Sequence, residues 1–229
     1  NLAIIPARGG SKRIPRKNIK EFLGKPIIAY SIETALESNL FDEVMVSTED
    51  DEIAEISKTY GAKVPFLRSK ENADDFTGPG DVVEEVLEEY SKKDKYFDIA
   101  CCLYATAPLV IITRLREGIK LLKKSKFDVV LPVGKYNSPI WRSYKLSDNK
   151  YLSFNFPHYE TKRSQDLHDA YYDAGQFYLF RPDEFLKLEN KNTFGTLKGA
   201  IVLEDFEVQD IDVIEDWKMA ELKYKFING

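Results

Sequence analysis

"LAIIPARGGSKRIPRKN" (residues 2–18) joins an apolar run to a glycine-containing cationic loop. Residues 2–6 end in Pro6 and have the pattern of a short buried strand. The chain then gathers Arg8, Lys12, Arg13, Arg16 and Lys17 around Gly9, Gly10 and Ser11. Open α/β sheets bind ligands beyond the carboxyl ends of their strands, and this loop lies at such an end. Gly9 and Gly10 let backbone N–H groups turn toward an anion, and Ser11 adds a hydroxyl donor. Arg8, Lys12 and Lys17 supply charge suited to a polyphosphate. The spacing matches neither GxxxxGK[ST] nor GxGxxG, which removes the main support for a phosphate-loop ATPase or a dehydrogenase. The plainer alternative is a solvated basic loop.

Outward from this stretch, strand and helix patterns alternate. Helices are predicted over residues 26–38, 50–61, 80–92 and 113–125, and strands over 43–48, 98–104 and 128–133. "VPFL" (64–67) reads as a short strand or extended piece. The rhythm predicts an α/β, Rossmann-like, largely parallel open sheet flanked by helices. After about residue 135 the pattern becomes aromatic and alternating, with Asp148-Asn149 as a turn candidate. A strand at 174–180, a short helix from Pro182, a strand at 199–204 and a helix at 214–226 complete the chain. The expectation is a single domain over residues 1–229 with an inserted β-rich arm at about 135–170.

Composition narrows the partners. A formal net charge of -5 argues against a general nucleic-acid surface, so the cationic loop reads as a specific anion site. Cys101 and Cys102 are adjacent and would point to opposite faces of a strand, which suits reduced core residues better than a bridge or metal site. No apolar run approaches the ~20 residues of a membrane span and no signal peptide is recognisable, so no membrane association and a cytoplasmic location are expected.

Two further stretches carry chemistry. In "VQDIDVIEDW" (208–217), Asp210 and Asp212 would lie on one side of extended backbone, where their charges repel unless a cation sits between them. Mg²⁺ is the economical cation, because it commonly joins carboxylates to substrate phosphates. The alternative is that one acid caps the helix that follows. "TKRSQDLHDAYYDAGQFYLF" (161–180) offers Arg163, Ser164, Gln165 and Asp166 to a hydroxylated or carboxylated ligand, or is a polar loop.

"IIPARGGSKRIPRKN" resembles the first motif of the CMP-sialic acid synthetase family, the acylneuraminate cytidylyltransferases. The resemblance continues through "VSTEDDEIAE", "YATAP", "RSQD", "DAGQFYLF" and "DIDVIEDW" in family order. "LYATAP", "DAGQFY" and "SKRIPRKN" look most like the pseudaminic acid branch. The resemblance implies a nucleotide-diphospho-sugar-transferase-like fold whose arm packs in a homodimer. It implies a CTP site formed by Ala7, Arg8, Gly10, Ser11, Lys12 and Lys17, with Asn18 and Arg68 on the cytidine. It also implies Mg²⁺ on Asp210 and Asp212, and a sugar side made by Tyr104, Arg163, Gln165 and Gln176. One segment departs from the family: "FTGPGDVV" places Gly78 and Pro79 where small hydroxyl residues are expected.

The implied reaction is attack by the anomeric hydroxyl of a nonulosonic acid on the α-phosphorus of CTP, releasing pyrophosphate, for surface-glycan or flagellin glycosylation. Arg8, Lys17 and Asp212 would act catalytically, by charge neutralisation rather than covalent chemistry. N-acetylneuraminate and legionaminate are the alternative acceptors. A nucleotide-sugar glycosyltransferase and a non-catalytic nucleotide-binding module are the rivals of other classes.

Overall fold

The protein is described here by a computed structural model covering residues 1–74 and 77–229. Strand β1 (Leu2–Pro6) leads through the cationic loop to a short hairpin, β2 (Glu21–Phe22) and β3 (Lys25–Pro26). Next come α1 (Ile27–Glu37), β4 (Glu43–Ser47), α2 (Asp51–Thr59) and α3 (Pro79–Ser91). They are followed by β5 (Ala100–Leu103), α4 (Ile112–Lys124) and β6 (Val129–Lys135). A separate hairpin, β7 (Tyr144–Leu146) with β8 (Leu152–Phe154), lies in the arm. The chain returns as β9 (Tyr171–Asp173) and β10 (Phe177–Phe180), then forms α5 (Pro182–Phe185), β11 (Lys198–Val202) and α6 (Ile214–Asn228).

The large sheet has the order β11-β6-β10-β5-β1-β4, with β9 also paired to β6. β1 is parallel to both neighbours, Ile4 standing beside Met45 and Cys102. β4, β1, β5, β6 and β11 run one way, and β9 and β10 run against them. The sheet is therefore largely parallel with an antiparallel insertion. The reason is topological: a chain that leaves β6 and comes back beside it without a crossover must return antiparallel. β9 and β10 are one such return, broken at Gly175, whose φ is 62°.

Both faces of the sheet are buried, with the period of two that strands impose. Ala3, Ile5, Val44, Val46, Cys101 and Leu103 enter one core; Leu2, Ile4, Met45, Ala100 and Cys102 enter the other. The two cysteines are free and on opposite faces, as expected. A third cluster joins Ile14, Phe22, Tyr30, Ile211 and Trp217. It ties the cationic loop and the start of α6 to the β2–β3 hairpin and α1.

The arm spans the residues between β6 and β9, and its hairpin turns at the expected place, with Lys150 taking a φ of 60°. "VPFL" does not form a strand: Lys63 makes a single bridge to Met45, and Pro65, which has no N–H to donate, ends the ladder there. Among the described residues no helix is long and apolar enough to cross a membrane.

Candidate active site

The five cations of the opening loop divide by role. Arg16, at a φ of 54°, donates Nη1 and Nη2 to Asp50 at 2.5 and 2.9 Å and Nη2 to Glu52 at 2.5 Å. The Asp50 hydrogen bond, opposed by desolvation, raises the arginine's pKa and brings the aspartate down to about 2. Asp50 also caps α2, accepting from the Ile53 N–H at 3.0 Å. Arg16 thus pins the loop to α2 and does not face the cleft. The expectation for Gly9 also needs correction: its N–H is committed to Glu49 Oε1 at 2.7 Å rather than to an anion. Glycine is needed there because a Cβ would stand 2.5 Å from Asp50 Oδ2. Gly10 is exposed with open space beside it, and Ala7 is buried, donating its N–H to Ser47 O at 2.9 Å.

Arg8, Ser11, Lys12, Arg13, Lys17 and Asn18 line one cleft at the carboxyl end of β1. Asn18 Nδ2 holds the Arg8 carbonyl at 2.8 Å, and Arg8 Nη1 reaches Asp74 O at 2.8 Å. The acidic pair meets this loop from the other end of the chain. Arg13 grips Asp212 with both amino nitrogens, at 2.8 and 2.7 Å. Lys17 Nζ donates to Ile211 O at 2.6 Å and stands 3.8 Å from Asp212 Oδ1. Burial lowers the Lys17 pKa, and Asp212 and Asp210 oppose that shift. Desolvation raises the Asp210 carboxyl, reinforced by Asp212.

Ile211 is buried between the two aspartates, so alternation turns both carboxylates away from the core. The capping role falls to Asp216, which accepts from the N–H groups of Asp212 and Val213 at 3.0 and 2.9 Å. Asp210 and Asp212 are therefore not consumed as helix caps.

The cleft is also lined by Arg68, Asn72, Thr77, Gly78, Pro79 and Val82, and by Tyr104. Arg68 is buried and anchored on Ser47, donating Nε to Oγ at 3.1 Å and Nη2 to the carbonyl. Burial lowers its pKa. Glu85 on α3 binds Ser69 N–H at 2.7 Å and Asn72 Nδ2 at 2.6 Å, fixing the segment after Arg68.

A family model described as "Cytidylyltransferase" matches residues 2–209. The chain belongs to the cytidylyltransferase family. It is a nucleotidyltransferase. It is 43% identical to the pseudaminic acid cytidylyltransferase of Campylobacter jejuni serotype O:2, over 98% of this chain and 96% of that one. It is 32% identical to the CMP-N,N'-diacetyllegionaminic acid synthase of Legionella pneumophila, over 96% of this chain and 94% of that one. The solved structure of CMP:2-keto-3-deoxy-manno-octonic acid synthetase complexed with CTP superposes with a TM-score of 0.70. That match covers 99% of this chain and 98% of the other at 16% identity, a likeness of fold.

In this cytidylyltransferase the cleft brings together Arg8, Ser11, Lys12, Lys17, Asn18, Arg68 and Tyr104. Three expected sugar-side residues lie elsewhere. Gln176 is buried, its Nε2 on Glu207 O at 2.5 Å, and Glu207 is held by Arg114 at 2.9 Å. Arg163 pairs with Asp166 at 2.7 Å on the exposed arm, and Gln165 lines a separate cavity with Tyr136 and His168. Sequence reasoning missed Asn72 and Thr77 in the wall and Glu49 behind it. Glu49 follows β4 at its carboxyl end, a positional signal that could have found it. "FTGPGDVV" begins at Phe76, which with Asp75 lies outside the described residues.

Proposed function

We propose that this enzyme transfers the cytidylyl group of CTP to a nonulosonic acid, with pseudaminic acid as the acceptor, and releases pyrophosphate. The observation that carries the reading is the meeting of the cationic loop with the acidic pair through Arg13 and Lys17 at the mouth of one cleft. The acceptor follows the name of the 43% identical Campylobacter jejuni relative; the legionaminate relative at 32% supplies the alternative.

The anomeric oxygen of the acceptor bonds to the α-phosphorus, and the bond to the bridging oxygen of the β-phosphate breaks in line. The acceptor's proton passes to solvent, and pyrophosphate carries away the bonding pair. Arg8 and Lys12 face the triphosphate, and Lys17, held on Ile211 O, offers charge to the departing oxygens. In this reading Arg68 and Asn18 form the nucleoside side, and Tyr104, which lines the same cleft, meets the sugar. Two carboxylates one residue apart, repelling each other and unused as caps, fit Mg²⁺, which takes one or two carboxylates alongside phosphate oxygens and waters. The ion would supply charge neutralisation at the phosphates and acidify an attacking hydroxyl. Asp210 and Asp212 would hold it, with Arg13 releasing Asp212.

Tyr144, Leu146, Tyr151 and Leu152 are exposed on the arm, which supports a homodimer built through it. The cytidylyltransferase chemistry, which draws on CTP, supports a cytoplasmic location.

The test is pyrophosphate release with CTP and Mg²⁺, offering pseudaminic, legionaminic and N-acetylneuraminic acids in parallel. Turnover confined to pseudaminic acid is expected. Turnover with another acid would replace the acceptor, and no release from folded, CTP-binding protein would overturn the catalytic reading.

A further inference from the structure

Glu49 lies behind the cleft and touches both of its halves. Oε1 accepts the Gly9 N–H at 2.7 Å, so it holds the backbone of the phosphate-side loop. Oε2 is buried, accepts no hydrogen bond among the described residues, and stands 4.0 Å from Arg68 Nη1. Arg68 has a side chain only 3% exposed and is otherwise tied to Ser47 by Nε and Nη2. A Cβ at Gly9 would stand 2.5 Å from Asp50 Oδ2, the oxygen that Arg16 Nη1 holds at 2.5 Å, so the loop packs closely against that ion pair. One carboxylate therefore links a loop set by β1 to an arginine set by β4 and the segment beyond it.

We propose that Glu49 is a positioning residue that couples the two halves of the CTP site. Its first oxygen sets the loop for the triphosphate, and its charge sets the Arg68 guanidinium for the nucleoside. The inference rests on the cytidylyltransferase reading and adds to it a residue that does not line the cleft. A buried arginine and a partly buried carboxylate 4.0 Å apart attract each other more than the same pair would in water. A neutral carboxamide keeps the acceptor for Gly9 but removes that attraction. The two functions of the side chain can thus be separated by substitution.

The experiment compares Glu49→Gln and Glu49→Ala with the parent enzyme by steady-state kinetics. Calorimetry of CMP and of inorganic tripolyphosphate accompanies it as binding that needs no turnover, and circular dichroism checks folding. For E49Q the CTP KM and the CMP Kd should rise about tenfold, the scale of one charge-assisted contact. Its tripolyphosphate Kd, kcat and acceptor KM should stay within about twofold of the parent. E49A should weaken tripolyphosphate as well, because Gly9 loses its partner. E49Q indistinguishable from the parent in CMP binding, or weakened equally for CMP and tripolyphosphate, would overturn the assignment of Gly9 to one oxygen and Arg68 to the charge. If E49A does not fold, the E49Q contrast decides the matter on its own. A parent protein that binds neither CMP nor CTP would instead remove the underlying reading, an outcome separate from either E49Q result.

Discussion

Asp212 is the residue in which the two chemical signals of the chain meet. Its carboxylate is held by Arg13 in a bidentate pair and approached by Lys17, yet 41% of its side chain is exposed. Such exposed pairs contribute only about 0–1 kcal/mol to folding. Under the proposed function the value of Asp212 is to the reaction, and Asp212→Asn should separate that role from folding. Pyrophosphate release is expected to fall by about 10²- to 10³-fold, the scale seen when a charge-stabilising group is lost. The melting temperature should move by no more than about 2–4 °C, as about 1 kcal/mol does in a chain of this size. A variant with parental turnover would remove Asp212 from the proposed metal pair. The pairing Asp-x-Asp was legible in the sequence because alternation in extended backbone is a local property. That Arg13 would occupy one member was not legible, since 199 residues separate them.

At the scale of elements, the departure at Gly78 has a packing cause. The turn around residues 191–193 lies against the start of α3, and Asn192 Oδ1 accepts the Gly80 N–H at 2.8 Å. Asn192 Nδ2 also donates to Asp81 Oδ2 at 3.0 Å, and Asp81 Oδ2 accepts the Gly78 N–H at 2.9 Å. A Cβ at Gly78 would stand 2.0 Å from Asn192 Oδ1, and one at Gly80 would stand 2.4 Å from the Lys191 carbonyl. Gly78→Ala should cost about 1–3 kcal/mol, the usual penalty for overpacking. Adding Asn192→Ala should recover part of it, so the two changes together cost less than their sum. Gly80→Ala should resist rescue, because its obstacle is backbone. Urea denaturation of the single and double variants checks this; simple additivity of Gly78→Ala and Asn192→Ala would dismiss the contact. In the sequence Gly78, with Pro79, reads as a missing hydroxyl donor. Only the approach of a segment 112 residues away reveals that there is no room for a side chain.

For the whole molecule, acid stability rests on buried and paired carboxylates. Glu43 is 6% exposed and receives hydrogen bonds from Tyr90, Lys95 and Lys63. Desolvation pushes its carboxyl up, but those three bonds together outweigh it and bring the pKa from 4.5 to about 2. A depressed folded-state pKa gives stability that is complete above the unfolded value and lost as pH falls through the folded one. The Glu43 contribution is thus full above pH 4.5 and disappears toward pH 2, with Asp50 acting in the same sense from 3.8. Glu43→Gln should be less stable than the parent at neutral pH, and the gap should narrow at about pH 3. Chemical denaturation midpoints at the two pH values would show it; a constant gap would mean that another group governs acid unfolding.

The sequence by itself determined the alternation of strands and helices, the buried β1, the arm and its turn, and the loop and acidic pair to which the proposed chemistry is assigned. These signals are local: side-chain periodicity, proline and glycine placement, and the repulsion of carboxylates on one side of extended backbone. The tertiary structure alone decided which way β10 runs and which of five cations face the cleft. It also decided that Gln176 is spent on Glu207 and that Glu49 bridges Gly9 and Arg68. Each of those outcomes depends on the order of strands in the sheet and on what is packed behind a loop. A carboxylate finds its partner by distance in space, and chain separation carries no information about that until the sheet is assembled.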